Sequence, residues 1–258
     1  MPETVAELGP GDSLGTGLAA LLCGAKRYYG LDVVPHGELS RNHAILEELA
    51  ELFRRRTDIP GPDEFPTVKP HLESYEFPSR ILSDDVLDRS LAPERVRRIQ
   101  DSIRNIDDKS SMIRYVVPWS GRANIETAAV DMVYSQAVLE HVDELPVAYN
   151  SMAAWVDTGG VISHAIDFKA HQFDDRWNGH YTWSEFKWRL LRGGRPYLIN
   201  REPLPTHIEL IERNGFEVRL IRKVQLESAI SRNELTKRFR RLSDDDLTTA
   251  AAYVVASK

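Results

Sequence analysis

The sequence predicts an α/β fold built on a doubly wound, mostly parallel sheet. Three observations lead there. The first is the opening stretch, Val5-Ala6-Glu7-Leu8-Gly9-Pro10-Gly11-Asp12-Ser13-Leu14-Gly15, where a short apolar run meets two glycines and then leucines at helical spacing. The second is the recurrence of that alternation, strand-length apolar runs followed by helical patterns, along most of the chain. The third is the finish, in which Phe216 to Ile221 and Ala250 to Ser257 both read as strands of a hairpin-like, antiparallel end. Right-handed crossovers make the earlier strands parallel.

Taken in order, Val5 to Leu8 is a brief buried strand, and Gly9 and Gly11 break it where a side chain would obstruct a tight turn. Leu14, Leu18, Leu21 and Leu22 then mark a helix. A strand, glycine turn and helix bring backbone N–H groups and a helix N-terminus against a ligand, although the same turn also serves α/β folds that bind nothing there. The second strand, Arg27 to Leu31, ends in Asp32. Ser40 caps a second helix with an apolar stripe of Ile45, Leu46, Leu49, Leu52 and Phe53, and Arg54-Arg55-Arg56 complements its dipole. From Thr57 to Ser79 five prolines and little periodicity indicate a loop-rich insertion, extending over about 57–110 and containing a helix from Pro93 to Asn105.

Met112 to Val117 and Val130 to Tyr134 are the next strands. Asp143 caps a helix bearing Leu145, Ala148, Met152 and Trp155, which stops before Gly159-Gly160, and Val161 to Phe168 follows as a strand. Thr206 to Asn214 is a helix with a Thr206–Glu209 capping box, closed by Gly215. Ser243-Asp244-Asp245-Asp246 reads as a helix cap and loop.

A chain of 258 residues suits one large α/β domain, here with an insertion. The net charge of −6 disfavours a general nucleic-acid binder. Cys23 is the only cysteine, which excludes disulfide frameworks and cysteine-rich zinc sites and fits a reducing cytoplasm. No apolar run approaches membrane-spanning length and no signal-peptide pattern opens the chain, so a cytoplasmic location is expected.

Glu7 followed by Gly9-x-Gly11 resembles the first signature of the class I S-adenosylmethionine (SAM) dependent methyltransferases, with Ser13 where some members carry a third glycine. A dehydrogenase fingerprint would instead need glycine at Leu14. Asp131-Met132-Val133, Leu139-Glu140-His141-Val142 and Gly159-Gly160-Val161 resemble those members whose fourth strand runs into an LEHV turn and whose fifth follows two glycines. The stretch is also similar to bacterial polysaccharide-associated O-methyltransferases. The resemblance covers most of the chain outside 57–110. It implies a Rossmann-like, seven-stranded methyltransferase sheet with an antiparallel final strand, as one domain over 1–258.

It further implies SAM as cofactor, with Glu7, Gly9 and Gly11 at its methionine part, Asp32 on the ribose hydroxyls, Trp119 and Ser120 near adenine, and Ser135 and Gln136 near the methionine end. A carboxylate suits the ribose because it accepts two hydrogen bonds from a vicinal diol. The N-terminal helical extension of many members is missing, so the insertion, or a second subunit in a homodimer, is expected to cover the cofactor.

Acceptors in this fold lie beyond the fifth strand, and that region is rich in His, Asp and Trp. His164, His171, Trp177, Asn178 and Tyr181, with Arg195 and Arg201 from the later basic segment, are the candidate substrate residues. Methyl transfer to an alcohol needs alignment and removal of a proton, so His141 is the first candidate base, with Asp167 beside it. Some related small-RNA and quinone-ring O-methyltransferases carry Glu-x-x-Glu-His at the LEHV turn and bind a magnesium-type ion. Ala137 stands where their first glutamate would be, but His180-Tyr181-Thr182-Trp183 resembles the His-x-x-Trp segment of the RNA enzymes and Asp167 offers a replacement carboxylate, so the resemblance implies Glu140, His141, Asp167 and His180 as the candidate set for Mg2+ or Mn2+. The histidines equally serve to orient substrate or loops. The expected activity is O-methylation of a carbohydrate or similar polyhydroxylated acceptor, small molecule or oligosaccharide. The alternatives are O-methylation of RNA or of a small aromatic or quinone acceptor, and a non-catalytic SAM-binding protein.

Overall fold

The computed structural model describes residues 1–35, 40–66, 68, 71–106, 108, 110–119, 121–195 and 197–258. Alternation along the first strand, β1 (Thr4–Leu8), sorts the interior into two layers. Val5 faces a core with Leu14, Leu18 and Tyr28, while Ala6 and Leu8 face one with Val133, Trp155 and Ile162. The strands β2 (Arg27–Leu31), β3 (Ile113–Val116), β4 (Val130–Gln136) and β5 (Val156–Asp167) extend the sheet in parallel. β6 (Glu217–Gln225) and β7 (Thr249–Ser257) close it antiparallel, giving the order β3-β2-β1-β4-β5-β7-β6. This is the expected Rossmann-like, seven-stranded sheet, mostly parallel with an antiparallel end. Its strand order reverses between β1 and β4, which opens a crevice at their carboxyl ends.

The helices α1 (Gly15–Leu22), α2 (Arg41–Arg55), α3 (Asp84–Ser90) and α4 (Pro93–Arg104) cover one face, with Leu21, Leu46, Ala50, Ile99 and Ile103 packed inward. On the other face lies α5 (Leu145–Trp155), joined beyond the outlying α6 (Glu185–Arg192) by α7 (Leu204–Arg213). The one-turn α8 (Asp244–Thr248) belongs to a small satellite core around Tyr181 and Phe239. No helix among the described residues is long and apolar enough to cross a membrane.

Several local expectations are corrected. Gly159 and Gly160 lie inside β5 rather than before it, and position 160 takes glycine because a Cβ there would sit 2.9 Å from the Asp131 carbonyl, where the register shifts. Ser40 makes no side-chain cap. Glu144, not Asp143, precedes α5, while Asp143 pairs with Arg192. α7 starts before Thr206, whose hydroxyl reaches Glu202 at 3.2 Å, since Pro205 in the first turn sets the helical φ there. Ser243 does cap, in a box with Asp246.

Between α2 and α3 the described residues form no helix or strand. They lie across the β4, β6 and β7 end of the sheet, where Ile59, Phe65, Leu72 and Tyr75 face Gln136, Arg222 and Tyr253 around a cavity of about 390 Å³. The described residues of this segment therefore lie over that end of the sheet, and none of them lines the crevice beside β1.

Candidate cofactor and acceptor site

The crevice is a cavity of about 710 Å³, within the range that holds small-molecule cofactors. Gly9, Gly11 and Asp32 form its floor, Trp119 one wall, and Val138, Val142, Val147 and Ala148 another. Gly9 and Gly11 adopt φ of +64° and +70°, so the turn needs residues without a Cβ penalty. At Gly9 the requirement is also spatial, because a Cβ would stand 2.6 Å from the Val138 side chain. The Gly9 N–H donates to the Leu31 carbonyl at 2.8 Å, tying the turn to the end of β2. Asp32, buried at that end, accepts from the Val33 N–H at 2.9 Å and the Gly11 N–H at 3.3 Å. Trp119 lines the cavity and packs edge-on against Trp155 at 5.9 Å. Ser120 lies outside the described residues.

Three of the expected cofactor residues stand elsewhere. Glu7 points into the α1 layer, where Tyr28 donates to its carboxylate at 2.6 Å and Tyr134 at 3.3 Å. Burial raises its pKa. Ser135 is buried and 2.8 Å from His164 Nδ1. Gln136 lines the 390 Å³ cavity instead. Alternation along β1 and β4 explains all three: only residues past the strand ends reach the crevice.

The Leu139–His141 turn is gripped by the segment after α6. The Asn200 side-chain amide donates to the carbonyls of Leu139 and Val142 at 2.7 and 2.9 Å, and its N–H donates to the Glu140 carbonyl at 2.7 Å. The His141 ring, on the cavity wall, lies with Nδ1 2.8 Å from the Tyr197 carbonyl. A carbonyl only accepts, so the proton sits on Nδ1 and Nε2 keeps its lone pair. Burial lowers the His141 pKa.

Glu140 is 3% exposed, and neither carboxylate oxygen has a partner among the described residues. Burial pushes its carboxyl up to about 7. Glu140, His141 and His171 each offer a ligand atom within 4.8 Å of the others, and the two imidazoles meet edge-on at 5.1 Å. The expected set is thereby revised. Asp167 is taken by Lys169, at 2.6 Å from Nζ and 2.7 Å from the backbone N–H, and stands 3.7 Å from His171 Nε2. Burial alone would raise its pKa, but His171 and Lys169 outweigh it and hold it at about 2. His180 is buried and pushed down to about 3 by desolvation, then by Arg201. It shares with Glu140 and Asp167 only a niche of about 10 Å³, room for roughly one water.

The expected acceptor residues are mostly internal. His164 is fully buried and pushed down to about 3 by desolvation. The Trp177 indole donates to the Glu227 carbonyl at 2.8 Å. Asn178 is buried and donates to Ser228 at 2.9 Å and the Leu247 carbonyl at 3.1 Å. Tyr181 packs on Phe239 at 4.8 Å. Arg201, 3% exposed, lies 4.4 Å over the Trp188 ring and pairs with Glu185 at 2.7 Å. Arg195 is exposed and does not line the cavity. Of this group only His171 joins the site. The mouth is built instead by Asp143, Glu144 and Tyr197.

No protein-family model matches the chain. No curated protein matches it either. Among solved structures, an S-adenosylmethionine dependent methyltransferase from Mesorhizobium loti is similar at 15% identity and a TM-score of 0.45, covering 100% of this chain and 94% of that one. A SAM-dependent methyltransferase from Methanosarcina mazei is similar at 10% identity and 0.46, covering 99% and 92%. The Haemonchus contortus phosphoethanolamine N-methyltransferase 2 in complex with SAM is similar at 13% identity and 0.47, covering 99% of this chain but 48% of the other.

Proposed function

We propose that the chain is a SAM-dependent O-methyltransferase acting on a hydroxyl of a carbohydrate or similar polyhydroxylated acceptor. The crevice fits the cofactor on its own features: a turn with two left-handed glycines, a buried carboxylate at the end of β2, and an aromatic wall. Gly9 and Gly11 would meet the methionine part, Asp32 the ribose diol and Trp119 the adenine. SAM supplies an electrophilic methyl group on a sulfonium sulfur.

The observation that carries the reading is His141, on the cavity wall with Nδ1 committed to Tyr197. Its Nε2 takes the proton that the acceptor hydroxyl loses, and its lowered pKa keeps it able to do so at neutral pH. The mouth supports a polyol, because Asp143, Glu144 and Tyr197 offer carboxylates and a phenol to several hydroxyls at once. Calorimetry with SAM and S-adenosylhomocysteine, followed by S-adenosylhomocysteine release over a panel of glycosides, phenols and RNA, tests the reading. Heat with both nucleosides and turnover on glycosides supports it; a native protein that gives no heat with either refutes it.

A second reading adds an ion. The orphaned oxygens of Glu140 beside His141 and His171 favour it, and two imidazoles with one carboxylate suit Mn2+ better than Mg2+. An ion there would acidify a hydroxyl in place of the imidazole base. Turnover lost to a chelator and restored by Mn2+ supports this reading, and indifference to the chelator removes it.

A further inference from the structure

Helix α6 is amphipathic, but its outward face is not polar. Its inner side is anchored: Trp188 is buried against Phe173 and Trp183, with Arg201 over its ring. The charges flanking that inner side are neutralised, Glu185 by Arg201 and Arg238, and Arg192 by Asp143. One helical turn apart on the outer side stand Phe186 and Leu190, 71% and 75% exposed. Lys187 and Arg189 flank them, and Arg195 follows just beyond the helix, all exposed. Among the described residues none of these three cations makes an ion pair.

We propose that this face of α6 docks on an anionic lipid surface. Phe186 and Leu190 enter the boundary between headgroups and acyl chains, and Lys187, Arg189 and Arg195 meet lipid phosphates. Large apolar side chains ringed by unpaired cations are what interfacial helices present, and on a chain of net charge −6 this local positive face sets the docking orientation. A second copy fits less well, since a two-fold contact would set each cationic face against its own like. Nucleic acid also fits less well, because Leu190 offers no ring for a base to stack on.

The placement bears on the acceptor. Arg192, at the end of α6, holds Asp143 at the cavity mouth, and Tyr197 of the mouth follows five residues later. Docking would bring the mouth beside the headgroups, so the acceptor would be a hydroxyl carried on a lipid. This last step rests on the methyl-transfer reading; the docking itself does not.

The test is flotation with vesicles of phosphatidylcholine alone and of phosphatidylcholine with phosphatidylglycerol, at low and high salt. The full chain is expected to bind the anionic vesicles, to release in high salt, and to ignore the neutral ones. Removing two cations by Lys187→Ala with Arg189→Ala lowers partitioning roughly 30-fold. Phe186→Ser with Leu190→Ser abolishes it, with near-UV circular dichroism unchanged because neither side chain is packed. No binding to anionic vesicles, equal binding to neutral ones, or variants that bind like the parent would overturn the proposal. So would a dimer that the Phe186 and Leu190 changes dissociate, or RNA binding lost with Lys187 and Arg189. Cofactor calorimetry on the same proteins reads the methyl-transfer proposal separately.

Discussion

The His141 imidazole donates from Nδ1 to the backbone carbonyl of Tyr197 at 2.8 Å, and this bond decides which ring nitrogen is available to a substrate. The Tyr197 side chain has no part in it, so Tyr197→Phe keeps the bond. His141→Ala removes the base and is expected to lower kcat by about 10²–10⁴-fold while leaving SAM affinity unchanged. Because burial lowers the His141 pKa, the acid limb of a kcat/KM profile should fall below pH 6.5. A rate unaffected by His141→Ala would remove the base from the scheme.

Asp32→Asn tests the cofactor end. The carboxylate orders the turn through Val33 and Gly11, and an amide retains one oxygen acceptor while losing the charge. Loss of charged hydrogen bonds to a ribose costs about 1.5–3 kcal/mol, so SAM affinity should fall roughly 10- to 150-fold by calorimetry. An unchanged dissociation constant would place the ribose elsewhere.

The two glycines make unequal demands, and alanine at each should show it. Both have positive φ, which costs a side chain of order 1 kcal/mol. At Gly11 no described atom lies within 4 Å of the added Cβ, whereas at Gly9 it meets Val138 at 2.6 Å. Gly9→Ala should therefore lower Tm clearly more than Gly11→Ala, and a Gly9→Ala, Val138→Ala double variant should recover part of that excess. Equal Tm shifts would show that the Val138 contact is relaxed at no cost.

The parts legible in sequence are those where backbone geometry dictates residue type. Gly9 and Gly11 could be read because a left-handed turn leaves few choices, whereas Asp32 came from the family resemblance. The seven strand segments followed from apolar periodicity, while their assembly into one sheet with an antiparallel end was what the family resemblance implied. The contribution of Tyr197 left no trace, since its carbonyl is one that any residue would present. His171 reaches Glu140 from a backbone at φ +47°, followed by Gln172 at +69°, a loop shape no periodicity encodes. Trp177, Asn178 and Arg201 misled for the opposite reason. Polar groups bonded within a satellite core look, as letters, like groups waiting for a sugar.

Acid should unfold this protein through its interior. His164, His180 and His207 are buried and pushed down to about 3 by desolvation, against about 6.5 in the unfolded chain. With folded pKa values below unfolded ones, the unfolded state takes up protons first. The stability is complete above pH 6.5 and is lost as pH falls toward 3, by about 1.4 kcal/mol per histidine per pH unit. Glu140 acts with opposite sign: its carboxyl is raised to about 7, so the folded state protonates first and gains between pH 7 and 4.5. Glu7, also raised by burial, acts in the same sense as Glu140, and three histidines against these two carboxyls leave a net loss of stability as pH falls from 6.5. A folded domain has only about 5–15 kcal/mol to lose, so this proton uptake should lower its stability markedly on acidification. Urea midpoints measured from pH 7.5 to 5 should fall steeply below 6.5, and His207→Gln, which removes one titrating group, should make that fall shallower. A midpoint that stays level on acidification would mean that these imidazoles are hydrated in solution.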